Sequence, residues 1–249
     1  MSFLLSILLV PLVWTAPTAE RVEHARAAPP PLRMTDSCVT RSERRRVVRF
    51  LAADRTRLIG VELGSGPRGV VLAHGYRSSL CGWIRQARRL ARSGYRVLAF
   101  DHRGHGSSTY TRRRYWRMDQ DVVGAVRTLR KRGARTVVLA GSSMGGTAVL
   151  VGAAALTTGA DGVVSLSGPS YISTLNAVPA VGKLAVPTLF LAGEQDDPFD
   201  DDALTLFNAS AARDKRLEVL PGSGAHGSDL LANASMRTIF DEFLRTHSN

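Results

Sequence analysis

Six short strand-like runs, five of them mainly apolar, separated by segments of helical period, constrain this chain more than any other feature. The runs lie at residues 69–74, 95–101, 136–142, 162–167, 186–193 and 215–220. Each is shorter than a stable helix, and the first five are mostly continuous rather than alternating, the pattern of a strand covered on both faces. Between them, apolar residues recur at helical spacing over about 81–93, 116–132, 144–157, 201–212 and 229–246. This alternation predicts an α/β fold with a doubly wound, mostly parallel sheet and helices on both faces. Upstream, Val47–Ala53 and Leu58–Leu63 flank the polar turn Asp54–Arg57 and predict an opening antiparallel pair. At 249 residues and 44% hydrophobic content, the chain has enough apolar surface for one substantial core.

The junction between the third run and its helix passes through Gly141-Ser142-Ser143-Met144-Gly145. A serine on such a turn can be held outward, with flanking glycines allowing close backbone approach. A free serine hydroxyl is a poor nucleophile, so the turn carries chemistry only if a base and an acid converge on it. Glu194-Gln195-Asp196-Asp197 follows the fifth run, and His226 lies in the loop after the sixth. In a parallel sheet these three positions share the edge formed by the carboxyl ends of the strands, where ligands bind. Asp196 is the preferred acid, with Asp197 and Glu194 as alternatives. Asp200, Asp201 and Asp202 are assigned instead to the first turn of the next helix, where carboxylates complement the dipole.

The order Ser143, Asp196, His226 resembles that of the α/β-hydrolase fold superfamily. Two further segments carry the resemblance: Val70-Val-Leu-Ala-His74-Gly75-Tyr76 and Asp101-His-Arg103-Gly104-His105-Gly-Ser107. The second is similar to a turn of esterases and monoacylglycerol lipase-like serine hydrolases. The resemblance spans about residues 45–247. It implies a carboxylic ester hydrolase in which Ser143 attacks an acyl carbonyl, His226 moves the proton and Asp196 orients His226. It also implies an oxyanion hole from the backbone N–H groups of Met144 and Tyr76. No cofactor is implied. His74, Asp101, Arg103 and His105 fit no standard zinc spacing and are expected to brace loops.

Many relatives insert a helical cap before the acid. Here only 168–185 is available, so a minimal cap or none is expected, over an open crevice. Trp83, Tyr115, Trp116, Tyr171 and Phe199 are candidates to line it. The implied partner is a small-molecule or lipid-like acyl substrate. Peptidase, thioesterase and perhydrolase chemistry would use the same triad, and a non-catalytic envelope binding module is the reading from another class.

Phe3–Trp14 is an apolar run too short for a comfortable membrane span and suited to a signal-peptide core. Residues 1–28 are therefore expected to be an export segment, 29–44 a linker and 45–249 the catalytic domain, in an exported protein. The formal charge of +12 predicts salt-dependent attraction to anionic surfaces without specific nucleic-acid binding. Arg44–Arg46 and Arg112–Arg114 read as solvated basic faces. Cys38 and Cys81 are the only cysteines and form either a disulfide or two buried thiols. No oligomeric state follows from the sequence.

Overall fold

The computed structural model describes residues 29–156 and 159–248. The predicted export segment, residues 1–28, lies outside them. The chain opens with strands β1 (Val47–Leu51) and β2 (Arg57–Leu63), then runs β3 (Arg68–Ala73), α1 (Ile84–Arg92), β4 (Arg96–Asp101) and α2 (Met118–Lys131). It continues through β5 (Thr136–Ser142), α3 (Met144–Ala154) and β6 (Gly162–Leu166). A two-residue-per-strand hairpin, β7 (Tyr171–Ile172) and β8 (Leu175–Asn176), precedes the one-turn α4 (Val178–Val181). Then come β9 (Thr188–Gly193), α5 (Phe199–Ala209), β10 (Lys215–Leu220) and α6 (Ala234–His247).

The eight-stranded sheet has the order β1-β2-β4-β3-β5-β6-β9-β10. β1 and β2 pair antiparallel, as do β2 and β4, and every remaining pair is parallel. The expected fold class and the opening antiparallel pair are both present. Chain direction across the sheet switches at β3, with β4 on one side and β5 on the other. The crevice at such a switch is where open α/β sheets hold ligands.

Side-chain alternation sorts the apolar strands between two cores. Val71, Ala73, Leu139, Phe190 and Ala192 face α2, α3 and α5, whereas Val70, Leu72, Val138, Ala140, Leu189 and Leu191 face α1 and α6. Strands β3, β5 and β9 are thus buried on both faces, which is why their sequences show no polar alternation. The last helix begins at Ala234 rather than near 229, because Asn233 caps it by accepting from the Ser235 and Met236 N–H groups. Residues 227–232 form a separate 3-10 turn.

Two segments differ from expectation. The 168–185 stretch holds a hairpin as well as a short helix. Residues 32–44, expected as linker, belong to the packed unit: Met34 and Val39 are buried in the α1 and α6 core. Cys38 and Cys81 are disulfide-bonded, with Cα atoms 5.7 Å apart. Closing a loop of this separation, 43 residues, stabilises by about 4 kcal/mol on a chain-entropy basis. Arg88 adds a bond to the Cys38 carbonyl and an ion pair at 2.7 Å with Glu43.

Candidate active site

Ser143 sits between the end of β5 and the start of α3 with φ 53° and ψ −123°. A non-glycine residue in that region is strained by about 1–3 kcal/mol, and the surroundings must enforce it. The Ser143 N–H donates to the Leu166 carbonyl at 2.8 Å, and its own carbonyl accepts from Gly146 N–H at 2.7 Å. Close packing fixes the glycines of the motif. A Cβ on Gly141 would lie 2.1 Å from the Gly145 carbonyl oxygen, and one on Gly145 would lie 2.3 Å from that of Ala73. The turn therefore presses directly against the end of β3.

Asp196 and His226 meet although 30 residues separate them. His226 Nδ1 lies 2.9 and 3.0 Å from the two Asp196 carboxylate oxygens. Asp196 is buried, whereas Asp197 and Glu194 are exposed and Glu194 accepts from the Gly222 N–H. Of the three carboxylates considered, Asp196 alone faces the imidazole. Asp200, Asp201 and Asp202 occupy the first turn of α5. Phe199 packs on the His226 ring with centroids 4.4 Å apart.

Two serines outside the predicted set hold the histidine loop. Ser142 Oγ accepts from the Ser228 N–H at 3.0 Å, and Ser167 Oγ accepts from the Gly227 N–H at 2.9 Å. The residue preceding Ser143 thereby ties the turn to the loop that carries His226. Ser143 and His226 line one cleft of about 290 Å³ with His74, Gly75, Tyr76 and Trp83. Among the described residues no hydrogen bond joins Ser143 Oγ to His226.

The opposite wall is the His74-Gly75-Tyr76 loop. A Cβ on Gly75 would lie 3.2 Å from Ser143 Cβ, so this backbone runs alongside the serine. His74 fixes the loop with both ring nitrogens. Its Nε2 accepts from the His102 N–H at 3.0 Å, so the proton sits on Nδ1, which donates to the Gly75 carbonyl at 2.7 Å. Burial, together with neighbouring His102, holds its pKa well below the usual histidine range, consistent with this neutral tautomer. The Met144 N–H is the first donor of α3 and has no intrahelical acceptor. Trp83 is buried and donates to the Ala73 carbonyl at 2.9 Å. Tyr115 and Trp116 lie behind Tyr76, whose ring stacks on Trp116 at 5.9 Å. Tyr171 is exposed on the hairpin and does not line this cleft.

Asp101, Arg103 and His105 brace the adjoining turn. Arg103 is fully buried, and its guanidinium is bonded to Asp54, Asp121 and the Arg114 carbonyl. His105 Nδ1 faces the Arg103 carbonyl, and its ring stacks on Tyr115. Asp101 accepts from the Leu80 and Ser107 N–H groups at 2.8 Å each. Burial pushes its pKa up to about 7, against those two donors and with help from the Asp36 carboxyl.

Below about pH 7 native Asp101 therefore holds a proton that the unfolded chain releases near its ordinary value of 3.8. Stability should fall as pH rises from there through about 7. Asp36→Asn removes the neighbouring carboxylate, so the variant should lose less thermal stability than wild type between about pH 6 and 8, by about 2–4 °C. Parallel Tm profiles for the two proteins would refute this coupling.

A family model described as serine aminopeptidase, S33 matches residues 66–184. An esterase from Pyrococcus furiosus superposes with a TM-score of 0.69 at 18% identity, covering 82% of this chain and 91% of the esterase. A monoacylglycerol lipase from Paleococcus ferrophilus gives 0.63 at 19% identity, over 77% of this chain and 99% of the lipase. The chain has the α/β-hydrolase fold. Within it, residues matching a non-heme haloperoxidase from Rhodococcus erythropolis are 37% identical over 95 positions, 38% of this chain and 34% of that protein. Bifunctional epoxide hydrolase 2 from Rattus norvegicus is 47% identical over 53 residues, 21% of this chain and 9% of its own length. The matched segments thus span about a third or less of these curated relatives. In this α/β-hydrolase fold, Ser142 and Ser167 were not foreseeable: each binds a backbone N–H at least 60 residues away, and no motif marks such a partner.

Proposed function

We propose that this chain is a serine hydrolase that cleaves a carboxylic ester through an acyl-enzyme intermediate, with Ser143, His226 and Asp196 as its triad. The observation that carries the reading is the Asp196 carboxylate on His226 Nδ1, at the cleft that also holds the strained Ser143 turn. A carboxylate there keeps the proton on Nδ1 and leaves Nε2 as the acceptor. Nε2 takes the Ser143 proton as Oγ attacks the carbonyl, then delivers it to the departing alkoxide. A water deprotonated by the same nitrogen attacks the acyl-serine, and its proton returns to Ser143 Oγ as the acid is released. The tetrahedral oxyanion is assigned to the backbone N–H groups of Met144 and Tyr76, each such donor being worth about 3 kcal/mol of barrier.

The small cleft, at the lower end of ligand-site volumes, and the short hairpin in place of a cap favour a compact acyl group. The names of the solved neighbours, esterase and monoacylglycerol lipase, support an ester over an amide. The family model's aminopeptidase description supports amide cleavage as the second reading. Export is proposed with the activity, since a disulfide between the chain's two cysteines suits an oxidising compartment.

The test is labelling of the purified protein with a fluorophosphonate probe, beside Ser143→Ala. Wild-type labelling that disappears in the variant is the expected result, followed by turnover of p-nitrophenyl esters but not of aminoacyl p-nitroanilides. Failure of the folded wild type to label would overturn the proposal in favour of a non-catalytic binding module.

A further inference from the structure

A second recessed site lies at the β1 edge of the sheet. That edge is four strand positions from β5, about 19 Å from the strand that delivers Ser143. Two grooves adjoin there through the shared side chain of Arg132. One, of about 670 Å³, runs between β1 and the end of α2 and is lined by Arg49, Arg96, Lys131 and Arg132. The other, of about 500 Å³, adds Arg45 and Arg46 from the 3-10 turn before β1.

Six cationic side chains thus line the two grooves against one carboxylate, Glu62. That carboxylate is buried and already bonded to both Arg96 and Arg132. Glu62 therefore fixes two of the cations without offering negative charge to a ligand. Arg45, Arg46 and Lys131 are exposed and make no side-chain hydrogen bond or ion pair among the described residues.

We propose that these joined grooves bind a phosphate-bearing polyanion, holding the protein on a charged polymer while the Ser143 cleft stays open. Arginine forks match phosphate oxygens in pairs, and a row of them along a groove suits a narrow, flexible chain of repeating charge. Stacked bases find no platform, because the one aromatic side chain of the grooves, Phe50, is buried in the core. A bilayer finds one exposed apolar side chain, Leu51, which is too little to insert.

Titration calorimetry of the full chain with long-chain inorganic polyphosphate tests this, with thermal unfolding as the check on folding. Wild type should bind, and binding should weaken steeply as salt is raised. Arg45→Glu/Arg46→Glu/Lys131→Glu should weaken binding at least about tenfold. Arg112→Glu/Arg113→Glu, which alters an exposed basic run outside the grooves, should change it less than about twofold. Equal losses in the two variants would overturn the site in favour of diffuse attraction. Absence of binding by wild type at low salt would overturn it as well. So would groove-dependent binding to vesicles containing phosphatidylglycerol without binding to polyphosphate.

Discussion

Asp196→Asn should lower kcat on a p-nitrophenyl ester about 10⁴-fold with little change in KM, whereas Asp197→Asn should change kcat less than about twofold. The asymmetry follows from geometry. Both Asp196 oxygens lie within 3.0 Å of His226 Nδ1, while Asp197 is exposed one residue further on. An asparagine amide would turn its NH₂ toward Nδ1 and donate, forcing the ring proton onto Nε2. His226 could then no longer accept from Ser143, although every heavy atom stayed in place. The local backbone should survive, because its bonds run from Asp196 N–H to Gly193 and from Phe199 N–H to the Asp196 carbonyl. Near-wild-type turnover by Asp196→Asn would remove Asp196 from the proposed mechanism, and an equal loss at Asp197 would point to a general charge effect.

The parts of this site that were legible in sequence are those fixed by local chemistry. Strands buried on both faces write themselves as unbroken apolar runs, so β3, β5 and β9 could be placed from Val70–Ala73, Val137–Ala140 and Leu189–Ala192. The ends of those strands then located Ser143, Asp196 and the His74 loop. Contacts made across the fold left no such trace. The hairpin at 171–176 has only two residues per strand, too few for an alternation to register. Residues 32–44 are mostly polar and follow Pro29–Pro31, yet they dock through a few contacts: Met34, Val39, the Cys38 disulfide and the Thr35 and Asp36 bonds to Ser107. The helix expected over 144–157 stops at Ala154, and its last expected position, Thr157, lies outside the described residues. The bracing role expected of Arg103 came with the resemblance, but its partners Asp54 and Asp121 are 49 and 18 residues away and had to be read from the structure.

Those partners make Arg103 the substitution with the largest expected cost in stability. Its Nε, Nη1 and Nη2 atoms make bonds to Asp121 at 2.7 and 2.9 Å, to Asp54 at 2.8 and 3.0 Å, and to the Arg114 carbonyl at 2.9 Å. These five bonds use all five guanidinium donors. Arg103→Leu would strand Asp121, whose side chain is fully buried, and Asp54, which is mostly buried. Removing one partner from a buried ionic cluster costs about 3–5 kcal/mol, because the remaining charge has lost both water and its counter-ion. In a domain of this size the Tm should drop by about 10 °C. Arg103→Lys should fall between, since an ammonium keeps the charge but cannot serve both carboxylates with paired bonds. Arg216→Ala is the contrasting control. Its pairs with Glu218 and Glu242 lie at the surface and should be worth less than about 1 kcal/mol. A Tm loss in Arg103→Leu no larger than in Arg216→Ala would show that the cluster carries no net stabilisation. The cluster also reaches the cleft. Arg103 holds the Arg114 carbonyl, the following residues place Trp116, and Trp116 supports the Tyr76 ring. Arg103→Lys should therefore raise KM below its unfolding transition, as the loop that carries the proposed oxyanion donor loses its support.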